Sequence, residues 1–203
     1  MGDLSIKQLR CHHIGPVDLD VAAGQCVSFA GPSGAGKSIL LKAIIDLIPN
    51  NGEVSFDAQS REHMRASQWR KQVGLLPAES FWWCHRVGEH FPPLNEQQLD
   101  WFAQLGFDKQ VLDWEVSRCS TGERQRLALL RLLCHGPKAL LLDEPTANLD
   151  TTSTEKVEQI VIAYMKAQQC PVIWVSHDRS QNKRIASQHY VLEQDGQLQR
   201  VAA

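Results

Sequence analysis

A parallel-sheet α/β fold follows from three features of the sequence. Short β-rich runs alternate with helical ones along the chain. Two of the runs, 139–142 and 172–175, are apolar at every position, as strands buried on both faces are. Each cluster of chemistry-bearing residues also stands just after a strand, where parallel sheets hold their ligands.

Taken in order, residues 25–30 form a strand that runs into a glycine-rich turn. Residues 37–48 then read as a helix closed by Pro49-Asn50-Asn51-Gly52. Short strands follow at 53–56 and 73–76, and helical periodicity covers 96–105 and 122–134. After the apolar strand 139–142 comes a helix over 152–169, with Val157, Ile160, Val161 and Tyr164 on one side. The strand 172–175 comes next, and 189–201 reads as two strands around Asp195-Gly196.

Composition narrows the function. The 203 residues carry 21 Lys+Arg against 23 Asp+Glu, a net charge of −2, with 43% hydrophobic and 22% charged residues. Such a chain is globular and lacks the basic footprint of a protein that holds nucleic acid by bulk charge, so no nucleic-acid partner is expected. No apolar run reaches the roughly 18–20 residues of a membrane-spanning helix, and the N-terminus has neither a secretory nor a myristoylation pattern. The six scattered cysteines read as reduced packing thiols of a cytoplasmic protein. Cys84, His85 and His90 lack metal-ligand spacing, so no metal site is assigned there.

Gly31-Pro32-Ser33-Gly34-Ala35-Gly36-Lys37-Ser38 satisfies G-x-x-x-x-G-K-[ST] between a strand and a helix. Its glycines let backbone N–H groups turn inward as an anion nest, and the helix that follows adds its positive end. Lys37 supplies a charge for the β- and γ-phosphates, and the Ser38 hydroxyl is a Mg²⁺ ligand. Asp143 and Glu144 end the apolar strand 139–143. Asp143 is placed to anchor Mg²⁺, and Glu144 to accept a proton from an attacking water. His177 follows the next strand, within reach of the γ-phosphate and of that base. Ser120 and Glu123 have capping-box spacing at the start of a helix, which makes a second phosphate receptor. One chain has no need of two receptors for one nucleotide, so the second is expected to serve the nucleotide of a partner subunit.

With these motifs in this order, nearly the whole chain resembles the ATP-binding cassette (ABC) ATPases. Gly31 to Ser38 is similar to the family's Walker A, Ser120-Thr121-Gly122-Glu123 to its signature, and 140–144 to its Walker B. Ala147-Asn148-Leu149-Asp150 is similar to its D-loop, and His177 falls at its switch histidine. The resemblance implies a P-loop NTPase fold occupying 1–203 as one domain. That fold has a mostly parallel central sheet, an N-terminal antiparallel β subdomain and a short helical subdomain at roughly 80–125. It also implies an enzyme hydrolysing ATP with Mg²⁺, with Glu144, His177 and Lys37 catalytic. Residues 31–38 with Ile39, residues 120–123 and Asp150 bind nucleotide, and Ser38, Asp143 and Glu79 serve the metal. The implied partners are a second ATPase subunit, the same chain or another, and a separate membrane permease. The chain would then sit at the cytoplasmic face of the inner or plasma membrane.

Departures from the pattern are specific. Ala78 stands where the family has its Q-loop glutamine; Glu79 beside it either replaces that contact or leaves it absent. Thr121 stands where glycine is usual, and Cys119 and Glu123 replace leucine and glutamine. No aromatic residue is placed to stack on adenine, for which His12 or His13 is the nearest substitute. Five of the six tryptophans lie between Trp69 and Trp114. Trp101 and Trp114 fit either a subdomain core or a partner groove, whereas Phe81-Trp82-Trp83 cannot all face inward. With no coiled-coil insertion and no second cassette, a transporter subunit is favoured over a soluble ABC ATPase or a weakly hydrolysing ATP-binding module.

Overall fold

The computed structural model describes residues 2–201. Strands β1 (Leu4–Cys11) and β2 (Ile14–Val21) form an antiparallel pair, and β3 (Cys26–Ala30) then enters a second sheet. Helix α1 (Lys37–Ile44) follows the glycine-rich turn, after which β4 (Asn51–Phe56) and β5 (Gln59–Ser60) complete the first sheet in the order β2-β1-β4-β5. This is the antiparallel N-terminal subdomain. Its β1 carries a bulge: Gln8 adopts φ 52°, and the pairing register shifts on both sides of β1. Leu4 and Ile6 before the bulge, and Leu9 and Cys11 after it, therefore all face the core.

Helix α2 (Ala66–Gln72) leads into β6 (Val73–Leu76). Its anchor is Trp69, fully buried, whose Nε1 donates to Ile44 O at 3.0 Å. Between β6 and α4 (Thr121–Cys134) the only α-helix is α3 (Glu96–Gln104); three 3₁₀ turns make up much of the remainder. Then come β7 (Ala139–Asp143), α5 (Thr151–Gln168), β8 (Val172–Val175), α6 (Arg179–Ile185), β9 (Gln188–Leu192) and β10 (Leu198–Val201).

The second sheet has the order β10-β9-β3-β8-β7-β6 and is parallel except for β10. Its central strands are buried on both faces. Val27, Leu141 and Ile173 pack with α1 and the β subdomain, while Leu140, Leu142, Val172 and Trp174 pack with α4 and α5. That double burial is why β7 and β8 are apolar throughout. Helix α1 ends four residues earlier than its apolar run predicts. Asp46 turns left-handed (φ 59°) and Leu47 N donates to Lys42 O at 2.9 Å, leaving Leu47 exposed. All six cysteines are free thiols, five of them buried.

Candidate functional site

The glycine-rich turn, Asp143, Glu144 and His177 share the carboxyl edge of β3, β7 and β8. Gly36 caps α1 at φ 100°, a left-handed conformation that only glycine holds cheaply, and no side chain caps the helix. The first N–H groups of α1 therefore point at the turn without a side-chain acceptor. Pro32, Ser33 and Gly34 are exposed. Gly34 has φ 82°, and a Cβ built there would meet nothing within 4 Å, so the cradle is open on that side. Lys37 is 6% exposed and its Nζ donates to Gly31 O and Pro32 O, both at 2.9 Å. Burial draws the Lys37 pKa down, and Glu144 and Asp143 oppose that shift. Ser38 and Ile39 are half-buried behind the turn. The β1–β2 turn crosses the start of α1, since a Cβ on Gly36 would lie 2.6 Å from Ile14 Cδ1 and 3.6 Å from His13 Cε1. His13 thus stands beside the cradle; both His12 and His13 are exposed.

Asp143 is 4% exposed. Burial pushes its carboxyl above the ordinary aspartate range, opposed first by a hydrogen bond with Ser38. Two hard oxygen donors, one of them a buried carboxylate, beside a phosphate cradle fit Mg²⁺, which takes one or two protein oxygens and completes its shell with phosphate and water. Glu144 adopts φ 49°, a strained conformation for a non-glycine residue and one found at functional sites. Its Oε1 lies 3.0 Å from His177 Nε2, and both side chains remain partly open to solvent. A cleft of about 540 Å³ adjoins this pair, with Leu149, Asp178 and Arg184 among its walls.

The capping box at α4 forms as its spacing predicts. Glu123 N donates to Ser120 Oγ (3.2 Å) and Ser120 N to Glu123 Oε2 (2.8 Å), with Ser120 and Thr121 exposed. Gly122 lies against the loop between β7 and α5, where a Cβ would be 3.1 Å from Leu149 Cδ2. Among the described residues no hydrogen bond joins this tip to the cradle at 31–38. Asp150 caps α5, accepting from Ser153 N (2.9 Å) and Ser153 Oγ (2.7 Å), which holds its pKa low. Glu79 and Ala78 are exposed beyond β6. The pairing of Leu76 with Leu142 brings this segment level with Asp143 and Glu144.

Phe81 and Trp83 are 76% and 72% exposed, while Trp82 is half-buried. The guanidinium of Arg131 lies over both indoles, 4.5 Å from Trp82 and 4.9 Å from Trp83, and donates to Phe81 O. His90 braces the segment from beneath: its Nε2 accepts from Trp83 N and Cys84 N, both at 3.0 Å, and its Nδ1–H donates to Arg86 O. Both ring nitrogens are engaged, so His90 is structural. Trp101 and Trp114 are half-buried against the core.

A family model described as "ABC transporter" matches residues 14–147, about two thirds of the chain. The chain belongs to the ABC transporter family. This ABC protein is 30% identical over 175 residues to the probable iron export ATP-binding protein FetA of Escherichia coli (strain K12), covering 81% of this chain and 78% of that one. It is 33% identical over 200 residues to the phosphate import ATP-binding protein PstB of Aeropyrum pernix, covering 87% and 79%. A bacterial Atm1-family ABC exporter solved with ATP bound shares the fold at TM-score 0.84 and 24% identity, covering 97% of this chain and 38% of the exporter chain. This ABC chain is an ATP-binding, ATP-hydrolysing transporter subunit. No described helix is long and apolar enough to cross a membrane.

Proposed function

We propose that two ATPase subunits, this chain with a second copy or a close relative, clasp ATP at their seam and drive a separate membrane permease. The triphosphate of each nucleotide lies in the cradle of residues 31–39 on one subunit and against the Ser120-led tip, with Thr121, Gly122 and Glu123, of the other. What supports this reading is that the capped Ser120 tip is exposed and, among the described residues, no hydrogen bond joins it to the cradle at 31–38. Asp150 fixes the start of α5 and thereby the loop that packs on Gly122.

In the hydrolytic step Glu144 takes a proton from a water that attacks the γ-phosphorus in line, the bond to the β,γ-bridging oxygen breaks, and ADP leaves. His177, whose Nε2 stands 3.0 Å from Glu144 Oε1, is positioned to turn from it and donate to the γ-phosphate as charge develops there. Lys37 turns its ammonium to the β- and γ-phosphates. Ser38 and Asp143, with Glu79 nearby, would hold Mg²⁺, which would supply charge neutralisation at the phosphates. His13 offers a face to the base beside the cradle. The permease docks on the exposed Phe81–Trp83 segment, which would keep the protein at the cytoplasmic face of its membrane. Residues 1–203 act as one domain, with the short helical subdomain near 80–125.

The Glu144→Gln variant tests the base. It is expected to bind ATP as the native protein does and to lose turnover by about 10² or more. Undiminished hydrolysis would overturn the assignment.

A further inference from the structure

Gln181 lies on α6, one helical turn beyond His177, and is 1% exposed. Its side-chain amide is satisfied on every side. Nε2 donates to Thr146 Oγ1 (3.0 Å) and to Glu158 Oε1 (2.9 Å), and Oε1 accepts from Trp174 Nε1 (3.3 Å). Glu158, on α5 and 6% exposed, is itself fixed by Arg184, whose Nη2 and Nε donate to its two oxygens at 2.7 and 3.2 Å. An amide this deeply buried must find partners. Thr146 stands two residues after Glu144, and Gln181 four after His177.

Beyond the backbone bond from Glu144 N to Val175 O (3.1 Å), the two loops that carry the reacting pair are joined by two side-chain contacts, Glu144–His177 at 3.0 Å and Thr146–Gln181 at 3.0 Å. The Thr146–Gln181 contact uses neither reacting side chain, so with the backbone bond from Glu144 N to Val175 O it leaves Glu144 and His177 free to turn to water and phosphate. The loop it grips also needs restraint. Glu144 (φ 49°) and Asn148 (φ 64°) are both left-handed, and the turn between them is closed by Ala147 N to Glu144 O (3.1 Å) and Leu149 N to Thr146 O (3.2 Å). Such conformations last only where the surroundings over-determine them.

We infer that Gln181 is a positioning residue for hydrolysis, holding the Glu144 loop and the His177 loop in register through Thr146, with Glu158 and Arg184 fixing its own orientation. The inference rests on the reading of Glu144 as the base. A polar tie at the centre of α6 also explains why this helix lacks an apolar stripe: Gln181 and Asn182 occupy its buried face, with Ile185 at its end.

The test measures kcat, KM for ATP and Tm in Gln181→Ala, Thr146→Val, their double variant and Thr146→Ser. Thr146→Val and Gln181→Ala should each lower kcat by about tenfold, the scale of a small misplacement of reacting groups, with KM within about twofold of native. The double variant should be no slower than the slower single one, and Thr146→Ser, which keeps the hydroxyl, should restore kcat. Lowered Tm with native kcat, or single losses that multiply in the double variant, would overturn the inference. Should Gln181→Ala fail to fold, the contrast between Thr146→Val and Thr146→Ser decides by itself. The two claims separate cleanly: active Glu144→Gln refutes the base, whereas inactive Glu144→Gln beside native-rate Gln181 and Thr146 variants refutes only the tie.

Discussion

Replacing Arg131 by alanine should loosen the aromatic segment proposed to meet the permease, while leaving the ATP site standing. The guanidinium covers Trp82 and Trp83, contacts worth about 0.5–1 kcal/mol each, and donates a charged hydrogen bond to Phe81 O worth about 1.5–3 kcal/mol. Against these stands the cost of burying the charge, which also draws the Arg131 pKa down. A net local loss of about 2 kcal/mol follows, or roughly 30-fold at 1.36 kcal/mol per decade. Hydrogen exchange reads it directly, because Trp83 N and Cys84 N are held by His90 within the same cluster. Their protection should fall by about 30-fold, with β7 and β8 unchanged. Arg131→Lys keeps the charge without the planar face and should recover less than half of the protection. Native exchange at 81–90 in Arg131→Ala, or a loss spread evenly over the central sheet, would refute the bracing role.

Further consequences follow at the cradle and at β7. Asp143 has a folded pKa raised by burial above the ordinary 3.8, so its contribution to stability is complete below the unfolded value and is lost as pH rises through the folded one. At neutral pH Asp143→Asn should therefore raise Tm of the nucleotide-free protein by about 2–4 °C while abolishing Mg²⁺-dependent hydrolysis. That gain should shrink as pH falls into the carboxylate range; equal Tm values at neutral pH would contradict it. Gly34→Ala meets no neighbour but places a side chain at φ 82°, with its methyl in the open mouth of the cradle. It should lower Tm by about 2–4 °C and weaken ATP binding more than tenfold by titration, and native affinity would show that phosphate does not enter there.

The elements legible in the sequence were those whose periodicity or capping chemistry is local. The all-apolar β7 and β8, the strand–turn–helix around Lys37 and the capping box of Ser120 and Glu123 lie where the residues place them. Strand β1 could not be read from alternation, whereas Val17-Asp18-Leu19-Asp20-Val21 of β2 does alternate. The bulge at Gln8 puts two residues between Ile6 and Leu9 and breaks the period of two. The antiparallel subdomain was anticipated through family resemblance alone. Helix α6 was missed for the opposite reason, since its buried face is polar and pairs with residues distant in the chain. His90 drew notice only with Cys84 and His85 as a metal candidate set aside on spacing; its bracing role was not legible, because its partners are backbone groups that no composition reveals. Asp150, expected as a nucleotide contact, caps α5 instead within this chain, its carboxylate accepting from Ser153 N and Ser153 Oγ.

The claim on which the account rests is that nucleotide is shared between two subunits, and solution mass measures it. Glu144→Gln protein, saturated with ATP and Mg²⁺, should sediment at twice the mass of the nucleotide-free chain. Adding Ser120→Arg, which fills the exposed tip with a bulky side chain, should return it to single mass with ATP still bound. A mass that ATP leaves unchanged at saturation, or a dimer indifferent to Ser120→Arg, would contradict the shared site.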